Sequence, residues 1–281
     1  MPLWSRIVLS LGILALIGGG AILFSPDLRM QVMGARLTHR VQAGDEGDVS
    51  FTATLTRGRE LLGSGEAAAE PSLQEHIQLN FTLHEKVQSA GREEALEYSM
   101  RSMRSEQLNA EAKRILSHER FLLRVAQAGG LVDLSRPADA SRDVLGDSAL
   151  SQLFLGIWLP LSPSWVRPGK SQWSAAVNLD SEPLAGEKVR LQHRLDIRFS
   201  SIEERAGKRL ALLDYAGTIA PTGEGVTGQG RILGKSLVDL ETGTALVGSM
   251  LLEQDVRLED PELGVTYRFY EHQDVKFWRP A

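Results

Sequence analysis

The residues of this 281-residue chain whose types and spacing could do chemistry are six histidines and two glycine-rich strings. The histidines are His39, His76, His84, His118, His193 and His272, and none stands from another at the close spacing by which a helix or tight loop presents two metal ligands. His76 and His84 lie on one extended run, roughly 26 Å apart at strand rise, so they cannot share an ion. Gly223-Glu-Gly225-Val-Thr-Gly228 has the glycine spacing of a dinucleotide fingerprint, and a strand pattern precedes it. Pyrophosphate binding also requires a helix to start after the glycines, so that its amides meet the anion. Gln229 to Leu240 alternates like a strand instead, and the loop reads as a hairpin connection. Gly230-Arg-Ile-Leu-Gly234-Lys235-Ser236 is one residue short between its glycines for a phosphate loop and also lacks the helix. There is no G-x-S-x-G elbow and no cysteine, and no Ser/His/Asp set is brought together by sequence. The expectation is a protein that is not an enzyme, with no catalytic residue, no metal and no cofactor. His193 alone stands out, because it interrupts an apolar face between Leu191 and Leu195. It is either a core histidine bonded to backbone or a carboxylate, or a residue lining a ligand cavity.

The elements that must position these residues are strands, since the dominant period from about Asp48 onward is two. Val49, Phe51, Ala53 and Leu55 alternate with Ser50, Thr52, Thr54 and Thr56, as a half-buried strand requires. Ile77, Leu79, Phe81 and Leu83 repeat the pattern; Leu96, Tyr98 and Met100 form another run, and Phe121, Leu123 and Val125 lead to Gly129-Gly130, a hairpin dipeptide. Val189, Leu191, His193, Leu195, Ile197 and Phe199 give the cleanest face, opposed by Lys188, Arg190, Gln192, Arg194, Asp196 and Arg198. Leu210 to Ile219, Ile232 to Leu240 and Leu246 to Leu258 follow across local turns. Val265 to Trp278 closes the series with Val265, Tyr267, Phe269, Val275 and Phe277 on one side. About ten strands with short connections imply a mainly β domain, a curved antiparallel sheet or half-barrel.

One or two helices are expected on that sheet. Glu106 to Leu116 has helix-forming composition, and Ala138 to Trp158 carries Val144, Leu145, Leu150, Leu153, Phe154, Ile157 and Trp158 before Pro160 ends it. The second segment is expected to cross the concave face and fill the core. Gly63 to Pro71 is the most linker-like stretch inside the body and reads as a long hairpin loop.

Ile7 to Phe24 runs uncharged, about 27 Å as a helix, close to the thickness of a hydrocarbon core. Ser25, Pro26 and Asp27 end it, and Trp4 and Arg6 suit a headgroup region. The reading is an uncleaved transmembrane anchor. A secretory signal peptide cut near Gly20 or Ala21 competes with it, although Ala21 to Phe24 prolongs the apolar run past the cut. Arg29, Arg36 and Arg40 lie beyond the span and would favour an inside domain, but a tail of a few residues carries little topological weight. The expected organisation is a tail over 1–6, an anchor over 7–24, a juxtamembrane connector over 25–47 and a β domain over 48–281. Its expected place is the inner (cytoplasmic) membrane, single-pass, with the large domain periplasmic.

Leu159-Pro160-Leu-Ser-Pro163-Ser-Trp-Val166-Arg-Pro168-Gly169-Lys-Ser-Gln-Trp173 is the most distinctive string. With Tyr215-Ala-Gly-Thr-Ile219, Gly228-Gln-Gly230 and Asp239-Leu-Glu-Thr-Gly243 it resembles uncharacterised bacterial exported or lipoprotein-type β domains over about residues 150–258. Those share a helix ending in Leu-Pro, a strand start closing on Trp, and a later Gly-x-Gly strand with a D-L-x-T-G turn. The resemblance implies an exported β domain and carries over no functional residue. This chain lacks the acylated cysteine of a lipoprotein, so Ile7 to Phe24 would be its anchor.

Composition is that of an ordinary soluble protein for most of the chain's length and excludes a disordered tail, a collagen-like fibre and a multi-spanning transporter. The chain is 24% charged and 42% apolar with a net charge of −5, which offers nucleic acid little to hold. The function expected is a non-catalytic binding or scaffolding subunit of a membrane or envelope complex. Its partners would be the lipid bilayer, through Ile7 to Phe24, and another membrane or envelope protein. The alternative is a carrier or sensor of a lipid or other apolar ligand held in the curved sheet.

Overall fold

A computed structural model describes residues 34–62, 73–91, 93–136, 147–162, 164–184, 187–260 and 264–280. Ile7 to Phe24 and Gly63 to Pro71 lie outside them, as does the first part of the expected second helix. Among the described residues no helix is long and apolar enough to cross a membrane.

The alternating runs form long strands. The first meander is β2 (Glu46–Leu62), β3 (Leu73–Ser89), β4 (Glu93–Arg104), β5 (Arg120–Ala126) and β6 (Leu131–Ser135), with helix α1 (Ala110–Ser117) between β4 and β5. The second is β8 (Gln172–Leu184), β9 (Glu187–Arg205), β10 (Lys208–Thr222), β11 (Val226–Asp239), β12 (Ala245–Asp260) and β13 (Val265–Trp278). The meanders join where the last strand pairs antiparallel with the first long one, with Phe277 opposite Phe51 and Thr266 opposite Leu62. The result is one 11-stranded antiparallel sheet in the order β6-β5-β4-β3-β2-β13-β12-β11-β10-β9-β8. It curls until its edges, β6 and β8, approach each other, so the barrel is nearly closed.

Helix α2 (Asp147–Leu153) packs against both edge strands. A helix at that seam covers backbone edges that would otherwise be open to pairing with another chain. The chain then continues into the barrel as a plug. Leu153, Phe154, Leu155, Ile157, Trp158, Leu159 and Leu161 are all buried in the one hydrophobic cluster formed by the inner faces of the strands. The ring of Phe154 meets those of Phe51, Tyr98 and Phe121 at centroid distances of 5.6, 4.8 and 5.6 Å. The expected core-filling crossing is therefore present, although α2 is shorter than the apolar run.

Glycines on the inner face admit the large rings. Tyr215 lies over Gly234, and Phe277 over Gly248, each directly across from it in the neighbouring strand. A Cβ on Gly234 would come within 2.3 Å of the Tyr215 ring, and one on Gly248 within 2.6 Å of the Phe277 ring. Gly156 of the plug sits against both rings, and the Ser236 hydroxyl donates to the Gly156 carbonyl at 2.7 Å. At the β9–β10 turn Ala206 and Gly207 have φ of 48° and 74°, the paired positive values of a two-residue hairpin that matches strand twist.

Residues 34–45, read from sequence as the end of a connector, pack on the body. Strand β1 (Ala35–Arg36) pairs with β7 (Trp165–Val166), Leu37 and His39 are buried, and the Arg40 amide donates to the Thr242 carbonyl in the β11–β12 turn. Together with the plug, this segment caps one end of the barrel.

Candidate functional site

The inner face changes character along the barrel. At the capped end it holds an ion pair inside apolar walls. Arg279 donates to both oxygens of Glu85 at 2.8 and 3.0 Å; Tyr98 donates its hydroxyl to the same carboxylate, and Trp158 donates its indole N–H to the Tyr98 oxygen at 3.0 Å. Glu94 is buried nearby with one oxygen unpartnered, and burial, reinforced by the Glu85 charge, pushes its carboxyl up to about 7. His39 is buried with its ring 5.0 Å from that of Trp158, and burial lowers it to about 4. This set ties β3, β4, the plug and the chain after β13 together and is largely buried, with the Arg279 side chain 11% exposed.

At the other end, the mouth, the inner face of β13 stays half exposed. Tyr267, Phe269, Glu271, Gln273, Val275 and Phe277 share that face by strand parity, with no register shift to either neighbour. Val275 and Phe277 are buried in the plugged half, whereas Tyr267, Phe269 and Glu271 are half-buried. Four side chains form a closed amide-carboxylate ring. Gln273 donates to Gln152 and to Glu271, each at 2.7 Å; Gln254 donates to Glu271 at 2.7 Å, and Gln152 donates to Gln254 at 3.2 Å. Burial pushes the Glu271 carboxyl upward, against the pull of the two glutamine donors and of Arg57. Arg57, opposite Glu271 on β2, donates to Glu75 of β3 at 2.6 Å. The ring fastens the end of α2 to β12 and β13, and Phe269 and Tyr267 stand beyond it, their rings 6.4 Å apart. The wall is thus aromatic with oriented polar groups.

His193 is on the inner face of β9, opposite Val177 and Ile219, and wholly buried. Its ring nitrogens lie beside the backbone of Leu191 and Val177 without a well-formed hydrogen bond, and burial lowers it to about 4, those backbone contacts opposing the shift only in part. The remaining histidines are dispersed. His76 meets Thr56, His84 meets Asp48, His272 meets Glu253, and His118 lies at the carboxyl end of α1 against the Arg114 carbonyl. Among the described residues no three His, Asp or Glu side chains gather as a metal site. The Gly223-to-Gly228 string turns from β10 into β11, and Gly230 to Ser236 lies within β11, so both glycine motifs are strand grammar. On the outer face a shallow depression of about 320 Å³ lies over Gly228, between Thr227, Gln229, Asp255 and Arg257.

Sequence reasoning did not single out the mouth residues, though a trace of them was available. The apolar face of β13 skips two positions between Phe269 and Val275, and those positions are Glu271 and Gln273. In sequence comparisons the chain matches no family model and no curated protein.

Proposed function

We propose that this chain is a membrane-tethered, non-catalytic binding domain that scaffolds a membrane or envelope complex, anchored by Ile7 to Phe24. The observation that carries this reading is the occupied interior. The chain's own residues from Leu153 to Leu161 lie where a carried acyl chain would have to lie. A barrel filled to crystal-like density is a rigid platform, and recognition then falls to its unfilled surfaces. The mouth is the surface best suited, with Tyr267 and Phe269 as aromatic anchors and Arg57, Glu271 and Gln254 as oriented polar groups. Carriage of a lipid or other apolar ligand is the weaker reading, supported only by those two rings and by the buried His193 on the inner face. The test is affinity capture of the full chain from mild detergent, side by side with Phe269→Ser. Proteins retained by the first and lost with the second support the reading; identical captured sets refute the mouth as the binding surface.

A further inference from the structure

The exposed tryptophan of β7 sits where the described chain begins, and its surroundings are basic. Trp165 is 64% exposed, the most exposed large apolar residue among those described. Its antiparallel partner is Arg36, also exposed, while their neighbours Ala35 and Val166 turn inward together. Arg167 is exposed and lies against Gly34, and the turn from Arg167 to Ser171 presents Lys170 to solvent. Arg36, Arg167 and Lys170 have no ion-pair partner among the described residues, so their charge is uncompensated locally. A lone exposed tryptophan within a cluster of free cations is a poor protein core and a good headgroup ligand. Indole prefers the interface between water and hydrocarbon, and each nearby Lys or Arg adds about 1 kcal/mol of attraction to an anionic leaflet.

Chain geometry places this patch near the bilayer. Nine residues lie between Phe24 and Gly34, ten chain steps with a contour of at most about 35 Å. Gly34 abuts Val166 and Arg167, so the part of the body held closest to an anchor at 7–24 is the β1–β7 pair. We infer that Trp165, Arg36, Arg167 and Lys170 form a lipid-contacting face that docks the capped end of the barrel on an anionic membrane surface. The inference rests on the anchoring of Ile7 to Phe24. Docking fixes the orientation of the body, because the mouth lies at the opposite end of strands that run for 14 residues in β13, on the order of 40 Å. The mouth then faces away from the membrane that holds the anchor.

The native chain contains no cysteine, so single labels are unambiguous. Full-length Ser164→Cys and Glu224→Cys, the latter in the exposed β10–β11 turn, would be spin-labelled and reconstituted in vesicles of 70:30 phosphatidylcholine and phosphatidylglycerol. Collisions with oxygen and with a water-soluble nickel chelate then report depth. The label at 164 is expected to be shielded from nickel at least threefold more than the label at 224. The shielding should be lost in Ser164→Cys carrying Trp165→Ser, Arg36→Glu, Arg167→Glu and Lys170→Glu together. Equal nickel exposure at 164 and 224, in protein that resists extraction by alkaline carbonate, overturns the docking and leaves the anchor standing. Release of the unlabelled protein by carbonate overturns the anchor itself.

Discussion

Arg279 and Glu85, 194 positions apart in the chain, meet as a doubly hydrogen-bonded ion pair inside the capped end of the barrel. The pair locks the residue after the last strand to the middle of the first meander, and Tyr98 and Trp158 extend the lock into the plug. Breaking one side leaves a buried charge without its partner. Arg279→Met should lower unfolding free energy by about 3 to 5 kcal/mol, measured by urea titration in mild detergent. Tyr98→Phe, which strands the Trp158 N–H and removes one donor from Glu85, should cost about 1 to 3 kcal/mol. A loss under half a kilocalorie for Arg279→Met would mean that the pair holds nothing together.

Acid should weaken the fold before the ordinary carboxylates titrate. His39 and His193 are lowered from 6.5 to about 4 by burial, so unfolded chains take up protons below pH 6.5 that the folded protein refuses until about pH 4. Each histidine therefore contributes stability that is complete above pH 6.5 and falls away by about 3 kcal/mol as pH drops to 4. Glu94 acts in the opposite sense. Its carboxyl is raised from 4.5 to about 7, so the folded protein binds that proton first and gains stability as pH falls through the same range. Glu271, also raised by burial, acts in the same sense as Glu94, so the two carboxyls offset part of the histidine loss and a net loss of stability is expected between pH 6.5 and 4. His193→Leu, flanked by Leu191 and Leu195, should remove most of that slope without loss at pH 7. An unchanged slope would locate the acid sensitivity elsewhere.

The glycines beneath the inner rings should be intolerant of any side chain. Gly248→Val drives a side chain into Phe277 and the Lys235 carbonyl, and overpacking of this kind typically costs about 1 to 3 kcal/mol. Gly47, in the same sheet, has nothing within 4 Å of a built Cβ. Gly47→Ala should be neutral or slightly stabilising, because it only restricts the unfolded chain. Thermal melts of the two variants should separate by several degrees, and coincident melts would contradict the packing.

Most of the sheet was legible because each long strand is apolar on one face, and β2, β3, β9 and β10 repeat their alternation almost without interruption. The strand β8 was not, since its inner face begins Trp173, Ala175 and Val177 and its outer face holds Ser174 and Ala176, too small a contrast to register as a period. Pairing of β2 with β13, which turns two meanders into one barrel, joins segments more than two hundred residues apart and leaves no local trace. The helix expected through Trp158 stops at Leu153, where tight three-residue turns from Ser151 to Phe154 and from Gln152 to Leu155 narrow the chain and Gly156 passes beneath two rings. His193 is on the inner face as its alternation required, yet its complete burial beside the Leu191 and Val177 backbone could not be foreseen from spacing. The mouth was hidden because its polar residues read as a lapse in the pattern of β13, and a lapse gains meaning only when Gln152 arrives from α2 to meet it.

The most direct test of a partner at the mouth is a photocrosslinking amino acid, benzoylphenylalanine, placed at Phe269 of the full chain in its native membrane and irradiated. A discrete adduct containing a second protein is expected from position 269, and no such adduct from Lys208, exposed beside the β9–β10 turn at the capped end. An adduct with lipid alone, or none at 269, would contradict the assignment of this barrel as a protein-binding scaffold.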